Sequence, residues 1–310
     1  MHSISIAVPV FNEEKNVAEL VRRIVATFRN EKRSKLAEIL FVDDGSTDET
    51  FELLRNEATK ETRIKIISFS RNFGHQIAAS AALDYARGNA VVILDGDLQD
   101  PPELIPKLIE KWLEGYAIVY GVRKTRRDGV VKRGVASLFY RLLRRIADVD
   151  IPLDTGDFAL LDRKVVDVIK RMPERSRYLR GLRAWSGFKS TSIEFERAAR
   201  FAGESKYTLK KMIDLAASGI IGFSTVPLRI AAYVGLVMAL VSVVGGCVVL
   251  FEWFSGSFSL VRGWASIMFA FFFVSGIQLF ILGIMGEYIG RIYREVQARP
   301  LYVIREKVGL

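Results

Sequence analysis

Two aspartates one glycine apart, Asp95 and Asp97, close the apolar run at residues 90–94 and lead into Leu-Gln-Asp-Pro-Pro. Carboxylates so spaced at a strand end can converge on one hard ion, and Mg²⁺ held by one or two carboxylates fills its shell with water and phosphate oxygens. The expected ligand is a diphosphate. The competing reading is loop chemistry, with both acids merely solvated. In either case Asp100 is expected to cap a helix that begins with Pro101 and Pro102. More acids follow other apolar runs. Pro9, Phe11, Asn12, Glu13 and Glu14 follow the first, and Asp43-Asp44-Gly45-Ser46-Thr47-Asp48-Glu49 follows the second. An acid there can accept from ribose hydroxyls or a base N–H, although Asp-Gly-Ser is also ordinary turn chemistry. Ser46 and Glu49 have capping-box spacing. Ser70-Arg71-Asn72-Phe73-Gly74-His75 opens a further helix; Arg71 suits a phosphate or a plain surface role, and His75 reads as a helix-start residue with no catalytic part. Asp157 sits beside a glycine in Asp154-Thr155-Gly156-Asp157-Phe158, and Arg200, Ser205 and Lys206 offer three kinds of donor to a phosphate.

The elements that carry these residues alternate. Short β-branched runs at 4–10, 39–42, 64–69, 90–94 and 117–120 are separated by helical patterns, which implies βα units and an α/β fold with a mainly parallel sheet covered on both faces. Ligands of such sheets sit beyond the carboxyl ends of the strands, where the acids lie. No G-x-G-x-x-G follows the first strand and no G-x-x-x-x-G-K-[ST] occurs, which argues against dehydrogenase and P-loop chemistry.

The chain has 310 residues, 50% of them hydrophobic, and a mean hydropathy of +0.19. Residues 230–251 and 263–286 carry no charge, and each run is long enough as a helix to cross a hydrocarbon core of about 30 Å. Two transmembrane helices are expected. The N-terminus lacks a basic region followed by a long apolar core, so it does not read as a secretory signal. Lys206, Lys210, Lys211 and Arg229 precede the first span, and Arg291, Arg294, Arg299, Arg305 and Lys307 follow the second. The connecting loop holds only Arg262. This asymmetry puts both termini and the first 225 residues in the cytoplasm. The single Cys247 falls within the first span, which excludes an intrachain disulfide.

The net charge is +10, from 45 Lys and Arg against 35 Asp and Glu. Nine of the basic residues lie between Arg123 and Arg145 with Asp128 as the sole acid, interleaved with Val131, Val135, Leu138, Phe139, Leu142, Leu143 and Ile146 at helical spacing. That pattern reads as a membrane-surface helix over 130–146, or else as an amphipathic helix packed on the core. No stacking pattern or motif for nucleic acid accompanies it.

Six segments in order, PVFNEE, VDDGSTDET, SRNFGH, DGDLQDPP, DTGDF and RFAGESKY, resemble inverting family 2 glycosyltransferases of the GT-A type. The similarity is to the polyprenyl-phosphate sugar transferases, including the bactoprenol and dolichyl-phosphate branches. It covers nearly the whole chain, and the two C-terminal spans match the bactoprenol branch. The resemblance implies a GT-A, Rossmann-like domain over 1–225 with membrane-surface segments near 130–146 and 207–223, a two-helix membrane region over 226–290 and a cytoplasmic tail over 291–310. It places Pro9, Phe11, Glu13, Asp43 and Asp95 around the donor nucleotide, and Asp95, Asp97 and Gln99 at Mg²⁺ or Mn²⁺ and the diphosphate. Asp157 is placed near the reacting sugar, Asp157 and Asp97 are the implied catalytic residues, and Arg200, Ser205 and Lys206 are placed near phosphate groups, with Arg71 assigned to the same role. The implied partners are a sugar nucleotide and a polyprenyl phosphate, and the favoured pair is UDP-glucose and undecaprenyl phosphate in a bacterial cytoplasmic membrane. A homo-oligomer is compatible with Gly286 and Gly290.

Chemistry completes the expectation. A nucleoside diphosphate gathers negative charge as the bond to C1 of the sugar breaks, and a bound cation with Lys or Arg stabilises it. A lipid phosphate, with a second pKa of about 6, is largely dianionic near neutral pH and needs little base strength. Asp157 is therefore expected to orient the sugar or acceptor as much as to take a proton, and single displacement inverts the anomeric centre. Two alternatives stand beside this reading. A processive polysaccharide synthase would carry more spans and Q-x-x-R-W, from which Arg183-Ala184-Trp185 departs. A silent membrane scaffold that binds sugar nucleotides would not need the acids to persist.

Overall fold

The computed structural model describes residues 1–123, 155–175, 177–195, 225–255 and 263–310. Two compact units divide them. The first contains the N-terminal described residues and also Arg299–Leu310; the second contains the long C-terminal helices.

In the first unit the chain begins with β1 (His2–Val10), β2 (Ser34–Asp43), β3 (Ile64–Phe69) and β4 (Ala90–Ile93). They pair in parallel in the order β3-β2-β1-β4. Helices α1 (Val17–Arg29), α2 (Thr50–Lys60) and α3 (His75–Tyr85) connect them. β1 is buried without a break from Ile4 to Val10, the mark of a strand covered on both faces. On α1 the buried residues Leu20, Val21, Ile24 and Phe28 form one stripe, so that face seals the sheet. Ile6, Val8, Phe41, Leu54 and Ile66 fill the core beneath it.

The remaining strands are β5 (Ile118–Arg123), β6 (Thr155–Asp162), β7 (Ser190–Phe195) and β8 (Ile304–Val308), with helices α4 (Ile105–Leu113), α5 (Arg163–Arg171) and α6 (Leu179–Trp185). The full order is β7-β5-β6-β4-β1-β2-β3-β8. β6 lies antiparallel between β4 and β5, β8 lies antiparallel on β3, and β7 runs parallel to β5. The sheet is mainly parallel, with a GT-A arrangement of strands.

Three local expectations change. Asp100 is fully buried, and the turn after it is a short 3-10 helix, Pro102–Leu104, whose N-cap is Pro101. Ser46 does not close a capping box: α2 starts at Thr50, and the Ser46 hydroxyl accepts from the Asn12 N–H instead at 2.9 Å. The segment expected as a cytoplasmic tail contains β8, and Arg305 and Lys307 lie on that strand.

The second unit holds α7 (Val226–Phe254) and α8 (Trp264–Val296). Both are long and apolar enough to cross a membrane. Their large side chains face outward, with Phe272 65% and Phe280 70% exposed, which is not the pattern of a helix buried in a soluble core. The expected surface helix at 130–146, the 207–223 segment, and Arg200, Ser205, Lys206 and Arg262 lie outside the described residues.

Candidate active site

The loops leaving the carboxyl ends of β1 to β4 are laced together, and the turn after β2 is the hub. Gly45 has φ +70, and a Cβ there would lie 2.5 Å from the Arg71 carbonyl carbon, so this turn needs glycine both for its backbone and for its contact with the β3 loop. Asp44 accepts from the backbone N–H groups of Phe73 and Gly74 at 2.7 and 2.9 Å. Burial raises the Asp44 carboxyl above its ordinary range, and those two N–H groups only partly counter it. Thr47 N–H donates to the Asn12 side-chain oxygen, and Glu13 N–H donates to the Thr50 hydroxyl, both at 2.8 Å.

Two residues in these loops hold left-handed backbone without being glycine: Asn12 (φ 54) and Leu98 (φ 59). Asn tolerates this conformation; a buried Leu does not adopt it freely, and such strain concentrates at sites where the surroundings impose it. Leu98 is 1% exposed and lies within the Asp95 to Asp100 loop.

Asp43 is fully buried. Its Oδ1 accepts from Ser46 N–H at 2.9 Å and its Oδ2 from the Ser68 hydroxyl at 2.8 Å, so in this structure it organises the turn. Pro9, the penultimate residue of β1, is in register with Val42, and Val10 with Asp43. The β4 loop closes over β1: a Cβ on Gly96 would meet Val10 Cγ1 at 2.8 Å, the Pro9 carbonyl at 3.4 Å and Glu13 Cγ at 3.7 Å. Glu13 accepts from the Asn16 side-chain amide, and Phe11 is half-buried in the same loop. Asp97 accepts from Gln99 N–H at 3.1 Å.

Asp95, Asp97 and the Gln99 amide oxygen form the donor set expected at the cation. Two carboxylates and an amide oxygen suit a hard divalent ion that keeps water and phosphate oxygens. Among the described residues no three His, Cys, Asp or Glu side chains gather as a fuller metal cage.

His75, at the start of α3, joins this loop to the next acid. Its Nε2 lies 3.5 Å from Asp95 Oδ1 and 3.3 Å from Asp157 Oδ2. Burial would lower the imidazolium pKa, but the hydrogen bond to Asp157 and the charges of Asp95 and Asp157 push it up to about 9. With 38% of the side chain exposed, water screens part of both effects.

Asp157 is the most heavily held acid of the site. Gln76 donates to its Oδ2 at 2.9 Å, and Arg180 donates through Nε to Oδ1 at 2.9 Å and through Nη2 to Oδ2 at 3.4 Å. Burial alone would raise its pKa, yet Arg180 and His75 hold it well below the usual carboxylate range. Gln76 also accepts from Leu179 N–H at 2.9 Å, so one amide ties α3, β6 and α6 together. Arg183 is entirely buried, donates to the Asp157 and Gly156 carbonyls at 3.2 Å, and lies 5.3 Å from the Tyr120 ring.

Of the expected residues, Asp95 and Asp157 are therefore joined through His75, while Pro9, Glu13 and the Asp95–Gln99 loop pack together. Arg71 is not gathered with them: its guanidinium lies 3.9 Å from the Phe73 ring centre and donates to the Asn72 carbonyl. His75, Gln76, Arg180 and Arg183 were not expected. Arg183 had a legible signal, since it shares the apolar face of a short helix with Leu179 and Leu182, where an arginine must find buried acceptors.

Residues 5–170 match the family described as Glycosyl transferase family 2, and residues 226–292 match the GtrB C-terminal hairpin. YkcC, an uncharacterized glycosyltransferase of Bacillus subtilis (strain 168), is 49% identical over 308 residues, 99% of this chain and 94% of its own length. The prophage bactoprenol glucosyl transferase homolog of Escherichia coli (strain K12) is 42% identical over 97% of this chain and 98% of its own. The bactoprenol glucosyl transferase of Shigella phage SfII is 41% identical over 98% and 97%. Among solved structures, glucosyl-3-phosphoglycerate synthase of Mycobacterium tuberculosis is a distant likeness, covering 71% of this chain and 78% of its own at 18% identity and a TM-score of 0.47. On the match over 5–170 and on relatives aligned over nearly its full length, this chain belongs to glycosyl transferase family 2, with a GtrB C-terminal hairpin over 226–292.

Proposed function

We propose that this protein transfers glucose from UDP-glucose, with inversion, to undecaprenyl phosphate at the cytoplasmic face of a bacterial membrane. The observation that carries the reading is Asp157, a buried carboxylate held by Arg180 and Gln76 and joined through His75 to Asp95. Full-length relatives named bactoprenol glucosyl transferase support the sugar and the lipid.

Pro9, Phe11, Glu13 and the Asp43 turn would receive the nucleotide, and Asp95, Asp97 and Gln99 would hold Mg²⁺ or Mn²⁺ against its diphosphate. Such a cation supplies charge stabilisation to the departing diphosphate. His75 Nε2, between Asp95 and Asp157, would donate a hydrogen bond within the same cluster. Asp157 already has its proton removed, so it can accept a hydrogen bond from a sugar hydroxyl and fix the ring while the acceptor phosphate attacks C1 from the opposite side. One displacement of this kind inverts the anomeric centre.

Arg200, Ser205 and Lys206 are proposed to meet the acceptor phosphate, and Arg71 remains a proposed phosphate contact. Residues on both sides of the helix pair belong to the first unit, and two crossings return a chain to the side it left. This supports a single side for both termini, and the basic residues flanking the spans favour the cytoplasm. We take 1–225 together with Arg299–Leu310 as the catalytic domain and 226–290 as its membrane anchor.

Purified full-length protein in nanodiscs, given radiolabelled UDP-glucose, Mg²⁺ and undecaprenyl phosphate, is expected to yield labelled lipid. EDTA or Asp97→Ala should abolish transfer, and Asp157→Asn should reduce it by orders of magnitude. Transfer unchanged in EDTA would sink the metal assignment, and no labelled lipid with any of a panel of sugar nucleotides would sink the function.

A further inference from the structure

The sequence beyond the second membrane helix reads as a basic tail, yet it brings a guanidinium to the turn that orders the donor loops. β8 pairs antiparallel with β3, with Phe69 opposite Ile304 and Ser68 opposite Glu306. This pairing sets Arg305 at the carboxyl end of β3, the end at which the ligand loops leave the sheet. Arg305 Nη2 donates to the Ser68 hydroxyl at 2.9 Å, and that hydroxyl donates to Asp43 Oδ2 at 2.8 Å. The same guanidinium lies 3.9 Å from Asp43 Oδ2 and 5.2 Å from the Phe51 ring centre. Among the described residues it is the one cation within 4.0 Å of Asp43.

Asp43 is fully buried, and a carboxylate taken out of water needs hydrogen bonds and a countercharge. Arg305 supplies the countercharge. From Asp43 the connections continue through Ser46 N–H, and the Ser46 hydroxyl accepts from Asn12 N–H, within the loop that carries Phe11 and Glu13. Lys307, two residues along β8, is directed elsewhere, 4.6 Å from the Tyr85 ring centre.

We propose that Arg305 is a positioning residue for the nucleoside diphosphate donor, acting through Asp43 and Ser68, so that the donor site is completed by the chain that follows the second membrane helix. The inference rests on the donor reading given above. Ligand binding is then sensitive to Arg305 in a way that acceptor binding is not.

The test uses the full-length protein in nanodiscs, with UDP-glucose as probe and undecaprenyl phosphate as acceptor. The side chain of Arg305 is 49% exposed, so water screens the contact and the effect is moderate. Arg305→Ala is expected to raise the donor KM about three- to tenfold, with kcat and acceptor KM unchanged within twofold. Arg305→Lys should recover part of the loss by restoring the charge. Lys307→Ala disturbs the same strand but not the Asp43 contact, and should leave the donor KM unchanged. An unchanged donor KM in Arg305→Ala overturns the proposal, as does an equal rise in donor and acceptor KM matched by Lys307→Ala. Asp43→Asn separates the two levels. If it raises the donor KM while Arg305→Ala does not, only the role of Arg305 fails; if neither substitution moves it, the donor reading of this turn fails as well.

Discussion

Replacing Arg180 with alanine tests whether Asp157 works as an oriented, ionised carboxylate. The substitution deletes a hydrogen bond of 2.9 Å and a weaker one of 3.4 Å to Asp157. A hydrogen bond to a charged group contributes about 1.5–3 kcal/mol. The Arg180 side chain is 26% exposed, so water replaces part of the lost contact, and Gln76 and His75 remain. The net loss should be about 2 kcal/mol, or about 30-fold in kcat if it falls on the chemical step. The pH dependence is the sharper signature. In the wild type Arg180 and His75 hold Asp157 well below the carboxylate range against the effect of burial. Without Arg180 burial gains, so the pKa rises and the acid limb of kcat moves to higher pH. The ratio of variant to wild-type kcat should therefore be smaller at pH 6 than at pH 8. Stability follows the same sign: Asp157 stabilises the fold above its unfolded pKa of about 3.9, and the contribution is lost as pH falls through the lower folded value. In Arg180→Ala the folded pKa lies nearer the unfolded one, so the contribution is smaller and is exhausted at a higher pH. Initial rates of labelled-lipid formation across pH, with thermal unfolding of the same preparations, measure both. A kcat within threefold of wild type and an unshifted acid limb in a folded variant would refute the reasoning.

Two further outcomes concern charges at opposite ends of the sheet. Glu38 is 1% exposed, 2.6 Å from Lys65, and accepts from the Ser5 hydroxyl and Arg87 N–H. Burial would raise its pKa, but those partners hold it below the usual range. Glu38→Ala should cost about 3 kcal/mol by leaving polar partners buried, read as a lower unfolding midpoint with kcat per folded molecule unchanged. The stabilisation from Glu38 is present above pH about 4.3 and lost as pH falls through its lower folded pKa. For His75, raised to about 9 by its two acidic neighbours, the sign is opposite. Its advantage over His75→Asn should be complete below pH about 6.5 and disappear as pH rises through about 9, measured as the difference in unfolding temperature across that window.

The acids were legible because each ends or follows a strand whose apolar run is continuous: Asp43 after Val42, Asp95 after Leu94. The four central parallel strands followed from the same pattern. Less visible were the residues that hold the acids. Gln76 and Arg180 meet Asp157 across separations of 81 and 23 residues, and no local periodicity encodes such a meeting. β8 was obscured differently. Its alternation, Ile304, Glu306 and Val308 against Arg305 and Lys307, spans five residues, and its two cations were absorbed into the positive-inside count. The antiparallel β6 has no local signal beyond the short apolar run Phe158 to Leu161, since its direction depends on a chain path that sequence does not carry.

β8 has a consequence for how the protein is made. Until residues 304–308 emerge, β3 is an open edge with its ladder groups unsatisfied. A ribosome works from the N-terminus, so both apolar helices are synthesised before that edge can be covered. Shortened chains that stop ahead of the membrane helices would keep the edge bare permanently and should aggregate strand to strand, a hazard for anyone attempting to express the first 225 residues by themselves.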